Sequence, residues 1–173
     1  RITPLLEIVE RKDGKGIDAH IETAFKGLRQ AVSSYPRCFI DTHEVATDGP
    51  TAAQAVFGRA KADGIVFTPV TGVTRTVDVA PALVHRDHGL ALRLTRAEFE
   101  AGQLPSAIPA FLGTRNLSPG EVDLIVDLGP VEEMVVDGIA ALTHAFLADV
   151  PNHLSWRTMG VPASAFPVSM GGV

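Results

Sequence analysis

Four charged residues fall late in runs that otherwise read as buried strands: Glu7 in "ITPLLEIV", Asp41 in "RCFIDTH", Arg93 in "GLALRLT" and Asp127 in "VDLIVDLG". Carboxylate oxygens suit hard divalent ions such as Mg²⁺ or Mn²⁺, and a guanidinium fork takes a phosphate or carboxylate bidentately. By residue type these are the parts of metal-assisted phosphoryl chemistry. Glu7, Asp41 and Asp127 are the candidate catalytic or metal-holding groups, and Arg93, His43 and Thr68 the candidate binding groups. The plainer alternative is mutual neutralisation inside a core. Charge counting opposes it, because three carboxylates against Arg93 leave an excess of negative charge, and an uncompensated buried charge is costly. A cation should therefore answer the cluster: protonated His43, a divalent metal, a basic ligand, or a Lys or Arg from a part of the chain beyond this sequence. A carboxyl group kept protonated by its neighbours would serve as well.

Other polar groupings carry weaker signals. "PVTGVTRT" places Thr71, Gly72, Thr74 and Arg75 in a loop that opens a helix, where an anion could meet free backbone N–H groups; ordinary capping is the better reading. "HRDHG" (His85, Asp87, His88) resembles a metal spacing but precedes a strand, which favours an exposed loop. Cys38 reads as a small buried apolar residue. His20 and His144 lie in helices and need no role, and Trp156 with Arg157 suits core packing or a subunit contact. No nucleophile elbow, P-loop, HExxH or CxxC motif occurs.

The elements that must hold these residues alternate. Strand-like runs at "TPLLEIV", "RCFIDTH", "GIVFTPV", "GLALRLT", "VDLIVDL" and "HLSWRTMGV" are separated by helical ones. "IDAHIETAFKGLRQAVSSY" carries Ile17, Ile21, Phe25, Leu28 and Val32 on one stripe. "GPTAAQAVFGRAKADG" has Pro50 at its start and Gly64 at its end. "VTRTVDVAPALVHRDHG" is a poorer helix, weakened by Pro81, and the region from Arg96 to Glu121 is expected to break at Pro105 and Pro109. "PVEEMVVDGIAALTHAFLADV" reads as the longest and clearest helix. Alternation with short loops means parallel pairing with right-handed crossovers. The fold class is α/β. An incomplete (β/α)₈ barrel of the TIM type is preferred over an open parallel sheet, because "ERKDGKG" after the first strand is no dinucleotide-binding turn and because late strand residues line a barrel's active face.

Composition bounds the rest. The 173 residues suit one α/β domain spanning 1–173, with 46% hydrophobic and 20% charged residues. A net charge of −5 and no basic patch argue against nucleic acid as the main partner. The single cysteine fits a reducing compartment, and no apolar run is long enough to span a membrane, so a cytoplasmic location is expected. The opening at Arg1 without Met and the stop one strand after the last helix suggest a piece of a longer barrel domain.

The order of segments resembles the phage beta protein family, that of the T-even phage beta protein and its bacterial homologues. The residues that carry the likeness are "RITPLLEIV", "PV" ending the third strand, "GLALRL", "EVDLIVDLG" before a long helix, and a late Trp followed by "ASAFP". The resemblance implies further chain on both sides, including an upstream Lys/Arg-containing segment that could supply the missing cation. It transfers no catalytic residues. Two function classes follow. One is a phage- or defence-associated accessory protein that binds a protein partner or itself. The other is a metal-dependent hydrolase or phosphodiesterase using the carboxylate cluster.

Overall fold

The computed structural model describes residues 2–12, 14–131 and 136–163. The chain divides into two compact units, residues 1–91 and 92–173.

In the first unit, β1 (Leu5–Glu7), β2 (Cys38–Asp41) and β3 (Phe67–Thr71) lie side by side in chain order and are parallel. Between them run α1 (Ile17–Val32), a 3₁₀ turn (Glu44–Asp48) and α2 (Pro50–Ala62), and α3 (Val79–Val84) follows. The apolar stripe of α1 buries Ile21, Phe25 and Leu28 as its spacing predicts, and His20 is buried with them. Its Nε2 lies 2.9 Å from the Val9 carbonyl, so this histidine ties α1 to the segment after β1. Pro50 stands in the first turn of α2, where its missing N–H costs nothing. At the other end Gly64 takes φ 70°, and Ile65 N–H returns to the Ala60 carbonyl at 3.0 Å, a Schellman closure.

Register decides which residues share a face. Glu7 pairs with Asp41 and Asp41 with Val70, while Phe39 pairs with Thr68. In-register neighbours in a parallel sheet point the same way. Glu7, Phe39, Asp41, Thr68 and Val70 therefore share one face. Phe67 lies on the other, where Phe57 of α2 stacks on it with centroids 5.8 Å apart and planes 12° apart.

In the second unit, β4 (Leu90–Thr95, whose first two residues precede the boundary), β5 (Val122–Asp127) and β6 (Thr158–Gly160) are adjacent in that order, β5 and β6 being parallel. α4 (Arg96–Glu100), α5 (Leu104–Thr114) and α6 (Val136–Asp149) connect them. Strand order follows chain order within each unit, without the reversal of a doubly wound sheet. The fold is an open parallel α/β sheet of alternating strands and helices, consistent with an incomplete barrel.

Several boundaries differ from expectation. The helical region after β4 breaks at Gly102 (φ 68°), while Pro105 occupies the first turn of α5, where proline is tolerated, and the helix continues through Pro109. Of the helix expected to be longest, Val136–Asp149 is described as α6, while its expected start at 132–135 lies outside the described residues, as does the Ala165–Pro167 element. The sixth strand keeps three residues of its expected nine. A left-handed Asn152 (φ 52°) opens a turn, and the buried Trp156 donates Nε1–H to the Pro151 carbonyl at 3.1 Å.

Phe57 is fully buried against Phe67. Phe57→Ala should lose about 3–5 kcal/mol in chemical denaturation, and Phe57→Leu clearly less. Equal losses would show that the stacked ring fills no space of its own.

Candidate functional site

The first unit gathers its polar residues at the carboxyl end of β2 and β3. Asp41 is fully buried at the end of β2. Its Oδ1 accepts from Arg75 Nη1 at 2.6 Å and from the His43 backbone N–H at 3.0 Å, and its Oδ2 from Arg75 Nη2 at 3.2 Å. Arg75 stands in the loop between β3 and α3 and is itself only 9% exposed. The same Nη1 lies 3.4 Å from Oδ2 of Asp78, whose Oδ1 accepts from the Thr71 hydroxyl at 2.6 Å. Local chain chemistry makes the approach feasible: a Cβ on Gly72 would stand 3.1 Å from Arg75 Cγ and Nε. The loop that could have cradled an anion is thus folded down onto two carboxylates.

Glu7 is exposed and level with Asp41 across β1 and β2, and His43 is exposed just beyond. Thr68 is buried one same-face position earlier, its hydroxyl donating to the His88 carbonyl at 3.3 Å. In the second unit Arg93 and Asp127 meet: Asp127 Oδ2 accepts from Arg93 Nε at 2.8 Å and Nη2 at 2.6 Å, and Oδ1 accepts from the Gly129 N–H at 2.8 Å. Each of these two groups is 16% exposed. Glu7, Asp41, His43 and Thr68 belong to the first unit and Arg93 and Asp127 to the second.

Sequence reasoning missed Arg75, Asp78, Asp123 and Arg157 as polar partners. Asp123, fully buried near the start of β5, receives Arg157 Nε at 2.9 Å and Nη2 at 2.5 Å and the Thr158 hydroxyl at 2.7 Å. That carboxylate raises the pKa of Arg157 above its ordinary value. A signal for all three pairs was present. Asp41–Arg75, Arg93–Asp127 and Asp123–Arg157 are each separated by 34 residues, about one strand-helix repeat.

The "HRDHG" stretch does other work. His85 is buried at the end of α3, with its Nε2 2.8 Å from Gln54 Nε2, its ring tilted against Phe57, and its Nδ1 without a hydrogen-bond partner. Asp87 pairs with Lys61 at 2.7 Å on the surface. Among the described residues no three His, Cys, Asp or Glu side chains gather as metal ligands, and no helix is long and apolar enough to cross a membrane.

Fold and site together define a class: a parallel α/β protein whose strand carboxylates are held by arginines one repeat away, on either side in the chain. The chain belongs to the Beta protein family, the phage beta protein family its segment order resembles, and the family model matches residues 1–173. Neither the curated proteins nor the solved structures give a match.

Burial ranks the ion pairs. Lys61–Asp87, with side chains 59% and 58% exposed, should contribute little, because water and salt screen it. Removing one partner of the buried Asp41–Arg75 pair should cost about 3–5 kcal/mol, because a charge is left unanswered. Urea unfolding of Arg75→Met beside Lys61→Met checks this, and equal small losses would refute it.

A second prediction concerns pH. Burial, with Lys61 nearby, lowers the pKa of His85 below its ordinary 6.5. The unfolded chain therefore takes up this proton first, and the stability His85 contributes is full above that value and lost as pH falls below it. Asp48, Asp63 and Asp87, held below the usual carboxylate range by Arg11, Arg29 and Lys61, lose theirs only under more acid conditions. His85→Gln should flatten the fall in melting temperature between about pH 7 and pH 5. An unchanged slope would dismiss His85 as the titrating group.

Proposed function

We propose that this chain acts as a phage- or defence-associated accessory protein in the cytoplasm, using its parallel α/β frame to hold a protein partner or a second copy of itself. One observation carries the reading. Both oxygens of Asp41 and of Asp127 accept hydrogen bonds from within the protein, chiefly from Arg75 and Arg93. A metal centre needs carboxylate oxygens directed at the ion. Groups bound in this way fix the loop after β3 and the ends of β4 and β5. They act as supports for a surface. Family membership supplies the phage association.

A second reading, metal-assisted hydrolysis of a phosphodiester, is favoured by the register that sets exposed Glu7 level with Asp41, next to exposed His43. In that case Glu7 and Asp41 would hold Mg²⁺ or Mn²⁺, and His43 and Thr68 would hold the substrate.

The two readings separate in one comparison. The parent chain, Glu7→Gln and Asp41→Asn are melted with and without saturating Mn²⁺ or Mg²⁺, and each is assayed on an activated phosphodiester. On the accessory reading neither ion raises the parent's melting temperature and no turnover appears. In the same reading, cross-linking in the producing cell recovers a stoichiometric protein partner or a dimer. Stabilisation by metal in the parent alone, with turnover that both variants abolish, would establish the hydrolase instead.

A further inference from the structure

A cavity of about 370 Å³ in the second unit lies apart from the paired charges and is lined by His144, Leu147, Ala148, His153, Leu154 and Met159. The three α6 residues stand at positions i, i+3 and i+4 and form one stripe. Met159 is the middle residue of β6, in register with Leu124. His153 comes from the intervening turn, directly after the left-handed Asn152. Two histidines and a methionine thus line a single cavity whose other described lining residues are apolar. His144 and His153 are both exposed, and no hydrogen bond or ion pair engages either ring among the described residues. Two nitrogen lone pairs are therefore available without breaking any bond in the fold.

The electrostatics favour a cation there. α6 is a 14-residue helix whose last turn carries Asp149 and no basic residue. The negative end of its dipole is thus left without a Lys or Arg in that turn, next to the stripe that lines the cavity. The donor set then selects the ion. Zinc sites are built from thiolate, imidazole and carboxylate, and among the described residues no thiolate or carboxylate lines this cavity. A thioether selects copper(I), and imidazole suits copper as well, so copper is the ion common to both donor types.

We propose that His144, His153 and Met159 form a binding site for a single copper(I) ion. The proposal is independent of the partner-binding reading, since it uses different residues and needs no partner. Binding is a simple coordination of Cu⁺ by two neutral imidazole nitrogens and one sulfur, with no change of oxidation state.

The test is an anaerobic titration of the full chain with Cu(I) in competition with a chromophoric chelator. The parent should retain one ion per chain. His144→Ala, His153→Ala and the volume-conserving Met159→Leu should each weaken retention by about tenfold or more, the scale on which even outer-shell changes are felt. Cys38→Ala should retain copper as the parent does, because that thiol is fully buried. X-ray absorption at the copper edge of the parent should show one sulfur and two nitrogen ligands, a readout that needs no variant. Complete stripping of copper by the chelator would overturn the proposal. So would parent-like retention in Met159→Leu, loss in Cys38→Ala, or an edge spectrum with nitrogen and oxygen neighbours only.

Discussion

The interaction on which the first unit depends is the buried pair between Asp41 and Arg75. A carboxylate with no solvent exposure at a strand end must be answered by a cation or be protonated. The answer is a guanidinium from the loop after the next strand. Much follows from this. The loop after β3 is drawn across the end of β2, Gly72 leaves room for the Arg75 stem that a Cβ there would crowd, and Asp78 with Thr71 completes the circle of hydrogen bonds. The geometry is that of a pin joining consecutive repeats. Its net contribution to stability is modest, since burying the ions opposes their attraction; its contribution to a unique arrangement of strand and loop is larger.

How legible this was depended on the distance over which the cause acts. Element types were readable because hydrophobic spacing is local: the α1 stripe and the apolar runs of β2 to β5 report their own burial. Boundaries were less so. Proline looks like a stop signal in sequence, but at Pro105 it opens a helix, and the break lies at Gly102. The last strand shortened because a turn at Asn152 and the anchored Trp156 take up residues that read as β-like.

The candidate site shows the same division. Placing Asp41, Arg93 and Asp127 late in strands needed only alternation. Naming their partners needed the register between strands and the course of a loop. Charge counting did find the right question, since it required a cation for the carboxylates. It looked to His43, a metal, a basic ligand and chain beyond this sequence while Arg75 stood in view in a loop read as ordinary helix capping. A constraint on sign was recoverable from the sequence; the identity of the cation was a tertiary fact. The recurring 34-residue separation is the one feature that joins the two levels, because a repeat length is visible in sequence and becomes an adjacency in a parallel sheet.

That recurrence also limits what a strand-end pair can say about function. Asp123–Arg157 has the same residue types and separation as Asp41–Arg75 and an equally buried carboxylate, though its arginine is more exposed, and it sits at the amino ends of its strands. In parallel α/β proteins that end supports stability, and the carboxyl end carries chemistry and recognition. One interaction serving both ends is a device for joining repeats and marks no site by itself. What distinguishes the carboxyl end here is the polar groups beside the pair that remain exposed, Glu7 and His43 level with or just beyond Asp41. If this end recognises anything, the pairs set the positions and the neighbouring exposed side chains make the contact. That division of labour is how a rigid frame can keep its strand ends fixed while the surface around them diverges.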